Sequence, residues 1–280
     1  MNIKFDSKLI FLIKKIAKRF KEHEINAYSA QMAFFMILSI FPFFIFIFTL
    51  IGHLSINSET LIILLKRLFP KEVHSLVFSF IEEYILIKDL KIISFSIIGT
   101  LWSASKGIRG LIISLNKAYE VKETKNFLIV KLLDIIYTII FVFGILIFLT
   151  IPNIGLGVYN FFNQYININW EIYRLYNIIK MTFLPIMMVF LMSTIYKYMP
   201  NIKLHFTEVI YGVIFSIFGW TGLSYIFSIL IKNFFNFKVL YGSLATFIIL
   251  MFWLYFSSMI LIIGGEINSI IKKYKGLSDF

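Results

Sequence analysis

The chain has 280 residues, of which 59% are hydrophobic and only 15% charged, and its net charge is +12. A soluble domain is about 45–50% apolar and about 25% charged, so these proportions, with 33 Phe and 15 Tyr, exclude an ordinary water-soluble fold, a disordered chain and a collagen. The absence of Cys also removes a disulfide scaffold, a thiolate metal centre and a Cys nucleophile.

Residues 1–25 read as a cytoplasmic amphipathic helix. Phe5, Leu9, Leu12, Ile13, Ile16 and Phe20 recur at helical spacing, with Lys4, Lys8, Lys15 and Lys18 on the other face. Such a helix lies in the headgroup plane of an anionic leaflet or packs, solvated, on the rest of the protein. The following apolar run is too long for a cleaved signal and has no small-residue cleavage site after it.

A helix needs about 20 apolar residues to cross the hydrocarbon core. Five segments meet that length, near residues 33–54, 132–152, 176–199, 206–231 and 239–264. A sixth, 92–115, is interrupted by Lys106 and Arg109. The expected fold is therefore an all-α integral membrane protein with six transmembrane helices plus amphipathic surface helices. No Gly/Ser linker divides it, so residues 1–280 read as one multi-pass membrane domain. Residues 55–91 are too long for a simple connection, and their Leu, Ile and Phe content predicts a helical loop on the outer face.

Orientation follows the distribution of Lys and Arg. Seven cations, from Lys4 to Lys21, precede the first span, and the connections on that same side carry an excess over the other side. Glu59, Glu72, Glu82, Glu83 and Asp89 offset the cations of the first opposite loop. Both termini are expected to be cytoplasmic.

Ionisable residues in the spans are costly in lipid and are the natural functional candidates. Lys106 and Arg109 share a helical face and lie ~22 and ~27 Å along a helix entering at Lys91, close enough to the far interface to snorkel. Gln31, Asn116 and Glu266 fall at the same depth. Together these five form a candidate binding set for a headgroup or other anionic substrate, with Glu266 steadying the cations. The alternative is a structural ion-pair network that locks helix ends. Pro42 and Pro185 interrupt spans and are candidate hinges. Gly212, Ser216, Gly219 and Gly222 place small residues on one face, a candidate for close helix packing or a groove.

No catalytic constellation emerges. His23, His53, His74 and His205 lie in separate segments without metal-ligand spacing. There is no nucleophile elbow, no phosphate-cradling Gly loop, and no carboxylate pairing of the kind two-metal hydrolysis uses. The chain is expected to be neither an enzyme nor a nucleic-acid binder, and to need no metal or cofactor.

Four stretches carry a family resemblance. They are Ala27-Tyr28-Ser29-Ala30-Gln31-Met32-Ala33-Phe34-Phe35 with Ser39-Ile40-Phe41-Pro42; Leu101-Trp102-Ser103-Ala104-Ser105-Lys106-Gly107-Ile108-Arg109 with Asn116-Lys117-Ala118-Tyr119; Tyr198-Met199-Pro200-Asn201; and Leu240-Tyr241-Gly242-Ser243-Leu244-Ala245 through Trp253-Leu254-Tyr255 to Gly265-Glu266-Ile267-Asn268. In order and spacing these resemble the YihY/BrkB family of bacterial integral membrane proteins, often labelled ribonuclease BN-like. The resemblance implies six spans in the bacterial inner membrane. Some relatives are associated with envelope lipid traffic or serum resistance, which points to movement of an anionic lipid or similar amphiphile, with anionic lipid of the cytoplasmic leaflet as partner. A non-transporting envelope scaffold is the second reading. The ribonuclease label matches nothing in the residues.

Overall fold

A computed structural model describes residues 3–53, 90–144, 170–233, 235–274 and 276, and among these there is no strand. The helices are α1 (Ile3–Glu22), α2 (Ile25–His53), α3 (Leu90–Ala118), α4 (Phe127–Gly144), α5 (Trp170–Tyr198), α6 (Phe206–Asn233) and α7 (Phe235–Tyr274). The expected outer-face helical loop, apart from its last two residues, and the end of the 132–152 span lie outside the described residues.

Five of these helices contain stretches long and apolar enough to cross a membrane: Ile25–Phe46, Phe127–Gly144, Met181–Tyr198, Phe206–Leu230 and Phe247–Tyr274. Between 17% and 22% of each is buried inside the protein. So much exposed apolar surface is tolerable only against lipid, and the chain is an all-α integral membrane protein. The count is one lower than the six expected. At 29 residues, or about 44 Å, α3 is long enough to span, but Lys91, Lys106, Arg109 and Lys117 lower its hydropathy.

Helix ends follow local rules. The α3 terminus closes with Val121 N donating to Asn116 O at 2.9 Å and Glu120 N to Lys117 O at 3.0 Å, the paired bonds of a Schellman cap. Glu120 takes the left-handed position there (φ 58°), and Glu24 does so after α1 (φ 55°). After α5, Pro200 prevents continuation. At the start of α6, Glu208 Oε2 accepts from the His205 N–H at 2.7 Å, half of a capping box.

The chain groups into two compact units, Met1–Ala33 with Ile108–Phe280, and Phe34–Gly107, a division that no linker in the sequence marks. In the larger unit α6 and α7 form the most extensive helix pair. A Cβ on Gly212 would overlap the Gly264 carbonyl oxygen and the Asn268 amide, and one on Gly264 would overlap Tyr196 and Ser216. These glycines let the two backbones approach. Gly219 continues the seam, with Ile260 Cγ2 3.0 Å from its would-be Cβ. Gly222 does not belong to it, because nothing lies within 4 Å of a Cβ there.

In the smaller unit Pro42 removes a backbone N–H from α2. Gly99 of α3 faces it, a would-be Cβ lying 3.4 Å from Pro42 Cβ. Phe35 meets Trp102 edge to face at 6.4 Å. Pro185 also lies within a helix, α5, at an exposed position.

Candidate functional site

The main polar centre of the larger unit is built around two residues far apart in sequence, Arg19 and Glu266. Helix α1 buries Arg19 to 4% exposure, and α7 buries Glu266 completely. Arg19 Nη1 donates to Glu266 Oε2 at 2.9 Å, to the Ala118 carbonyl at 3.2 Å and to Ser269 Oγ at 3.2 Å. Its Nη2 reaches Glu120 Oε1 at 2.9 Å. On the other carboxylate oxygen of Glu266, the His23 ring donates from Nδ1 at 2.5 Å. Glu120 Oε2 pairs with Lys273 at 2.6 Å, and Ser269 Oγ donates to Ala118 O at 2.5 Å.

Two buried opposite charges resist separation because either one alone would keep its desolvation penalty. The network therefore fastens α1, the end of α3 and α7 together. The Lys273 hydrogen bond holds the Glu120 carboxyl below its usual value of 4.5, aided by the charges of Lys273, Arg19 and His23 and opposed by burial. At the α1–α2 corner, Lys117 pairs with Glu24 and lowers that carboxyl too; the same ammonium lies 4.8 Å from the Tyr28 ring centroid.

A second set ties down the segment after α3. Arg109 lies 3.4 Å from Glu123 and 3.7 Å from Asp134. Asn116 Oδ1 accepts from the Asn201 N–H at 2.7 Å, and Asn201 Nδ2 donates to Lys122 O and Thr124 Oγ1 at 2.9 and 3.1 Å. Lys125 bonds Asn201 Oδ1 at 2.9 Å. Further along, Lys272 pairs with Glu208 at 3.1 Å. Asn268 Oδ1 accepts the Gly212 N–H at 2.6 Å. Tyr196 donates to Leu261 O at 2.7 Å and lies 2.5 Å from Ser216 Oγ.

The five residues singled out for binding thus have different surroundings. Glu266 does not steady Arg109; it holds Arg19 and His23, while Arg109 is answered by Glu123 and Asp134. Asn116 ties the end of α3 to the α5–α6 connection. Gln31 is half-buried with its side chain against Gly110. Lys106 lies 5.7 Å from the centroid of the exposed Trp102 ring, and no ion pair to it occurs among the described residues. Arg19, His23, Glu120 and Lys273 were not singled out, because their pairing spans up to 247 residues. Only the position of Arg19 on α1, opposite Lys14, Lys18 and Lys21, hints that it points inward.

Apolar grooves occur among the described residues. One, of about 350 Å³, is lined by Pro42, Ile45, Lys91, Ile92, Phe95, Ser96 and Gly99, all in the smaller unit. Another, of about 280 Å³, lies between α4 and α5 in the larger unit, where Tyr137 donates to Tyr198 O at 2.8 Å. No group of three or more His, Asp or Glu among the described residues could hold a metal ion.

Sequence comparison places these features in a family. The profile described as "Virulence factor BrkB" matches residues 16–279. The putative ribonuclease-like protein YfkH of Bacillus subtilis (strain 168) is 34% identical over 267 residues, covering 95% of this chain and 97% of that protein. A UPF0761 membrane protein of Actinobacillus pleuropneumoniae serotype 5b (strain L20) is 24% identical over 94% of both chains. The UPF0761 membrane protein NTHI0384 of Haemophilus influenzae (strain 86-028NP) is 22% identical over 91% of this chain and 93% of its own length. No solved structure matches. With a profile match running through nearly its whole length and helices built for lipid, the chain belongs to the BrkB virulence-factor family of multi-pass membrane proteins.

Proposed function

We propose that the protein binds an anionic lipid or similar amphiphile of the bacterial inner membrane and moves it between leaflets, with both termini on the cytoplasmic side. One observation carries this reading. Along α3, Lys91, Phe95, Ile98, Trp102 and Lys106 fall on a single helical face, within about 80° at 100° per residue. Phe95, Ile98 and Trp102 are exposed, Phe95 to 80%. Two cations therefore bracket an apolar stripe ~22 Å long, comparable with the roughly 30 Å hydrocarbon core. Lys91 and Phe95 also line the groove beside Pro42.

In this mechanism a headgroup exchanges between the two ammonium groups while the acyl chain follows the stripe and the groove. A helix lacking the Pro42 hydrogen bond bends more readily, which supplies the change of access. Arg109, held by two carboxylates, belongs to the structural framework. No chemical transformation of the amphiphile is part of this mechanism.

The test is reconstitution into vesicles carrying fluorescent phosphatidylglycerol or phosphatidylcholine, with leaflet exchange followed by chemical quenching. Lys91→Gln with Lys106→Gln should slow phosphatidylglycerol exchange at least ten-fold, a difference of about 1.4 kcal/mol, and Ile92→Trp should slow both lipids by filling the groove. Unchanged exchange in the double variant would discard the assignment. A non-transporting scaffold is the second reading, and under it the wild-type protein would move neither lipid; Arg109→Gln would lower thermal stability under both readings.

A further inference from the structure

The face of α1 that packs on the protein is the apolar face read from the sequence, and a different face is left exposed. Leu12, Ile16 and Phe20 are half-buried, and Arg19 beside them is buried. Of the α1 residues whose exposure is described, Ile10, Ile13, Lys14, Ala17, Lys18, Lys21 and the terminal Glu22 are exposed. At 100° per residue the first six fall within about 140° of one another, centred opposite Arg19. Ile10 and Ile13 are 52% and 58% exposed, and three ammonium groups stand on the same face.

We infer that this Ile10–Ile13–Lys14–Lys18–Lys21 face docks on an anionic lipid surface. Two isoleucines supply apolar contact, and the lysines reach phosphates while their stems lie along the acyl boundary. On the opposite side, Arg19 bonds Glu266, Glu120, Ser269 and the Ala118 carbonyl, which fixes the rotation of α1 and so fixes which face is presented. Lys18 also lies 3.7 Å from Glu22, an exposed pair of little energetic weight that does not withhold the ammonium from a phosphate. The inference rests on the membrane location of the family and not on lipid movement through the α3 groove.

The chain contains no Cys, so Ile13→Cys or Ile16→Cys introduces a unique labelling site. Each full-length variant, carrying an environment-sensitive fluorophore, is placed in nanodiscs of phosphatidylcholine alone or phosphatidylcholine with phosphatidylglycerol, including nitroxide-bearing lipid as quencher. The label at 13 should be quenched in the anionic discs and much less in the neutral ones, while the label at 16 stays shielded in both. Lys14→Gln, Lys18→Gln and Lys21→Gln should each lower the docked-to-undocked ratio roughly five-fold. Quenching at 16 but not 13, equal quenching of 13 in both discs, no quenching of 13 in either, or indifference to the three lysine changes would overturn the inference. Because this is an equilibrium contact, loss of leaflet exchange in the α3 variants leaves its outcome unaffected.

Discussion

In the unit formed by Met1–Ala33 and Ile108–Phe280, Arg19, Arg109 and Lys272 each face a buried carboxylate, Glu266, Asp134 and Glu208. In the unit Phe34–Gly107, Lys106 faces an aromatic ring. A cation bonded to a buried carboxylate is held in place, since moving it would strand a charge in a low-dielectric setting. It can accept an anionic ligand only by giving up that partner. A cation beside an indole ring retains capacity for a phosphate. The contrast separates cations that hold helix ends from Lys106, which is able to handle a ligand, although both kinds occur on α3.

The largest way to break this contrast is Glu266→Ala, which leaves Arg19 and His23 without their buried partner. Loss of one side of a buried pair costs about 3–5 kcal/mol, so thermal unfolding in detergent should shift far downward or folded protein should not be recovered. A wild-type unfolding temperature would show that the network is not structural. Next is the α6–α7 seam. Gly212→Ala forces a methyl into the Gly264 carbonyl and should cost about 1–3 kcal/mol, whereas Gly222→Ala should be neutral or slightly stabilising in the same measurement. Equal effects at the two glycines would mean that the seam is not a close backbone contact.

The smallest expected effect is a pH dependence through Glu120. Its folded carboxyl titrates below 4.5, so its contribution is complete above that value and is lost as the pH falls through the lowered one. Wild type should therefore lose stability more steeply than Lys273→Met at pH below 4.5. With the Glu120 side chain 53% exposed, water and salt screen the pair and the difference should be slight. A steeper loss in the variant would reverse the assignment.

Hydropathy makes most of the fold legible, because a span is a local property of some twenty consecutive residues. The helices α2, α5, α6 and α7 cover the segments read from the sequence, and α3 stands apart for the visible reason that its face carries lysines. Gly212 and Ser216 were recognisable by small-residue spacing. Gly222 shared that spacing but not the contact, since spacing defines a face and says nothing of which of its positions a neighbouring helix touches. Glu266 stood out as a carboxylate at a span end, yet its partners did not. In the sequence Arg19 is one more cation in a basic run, and His23 is an isolated histidine without metal-ligand spacing. Pairing of this kind depends on tertiary approach, and a single sequence carries no signal linking positions 19 and 266.

Two corners of the chain adopt a conformation that glycine tolerates best, yet each holds a glutamate: Glu24 at φ 55° and Glu120 at φ 58°. For a side chain with a Cβ, that backbone region is a minority choice. Both carboxylates are engaged, Glu24 by Lys117 and Glu120 by Arg19 and Lys273. Each bend thus sets torsional comfort against an electrostatic clasp, and glycine at either place would relax the first while forfeiting the second. The sign of the resulting stability change would reveal which influence governs how tightly these elbows are drawn.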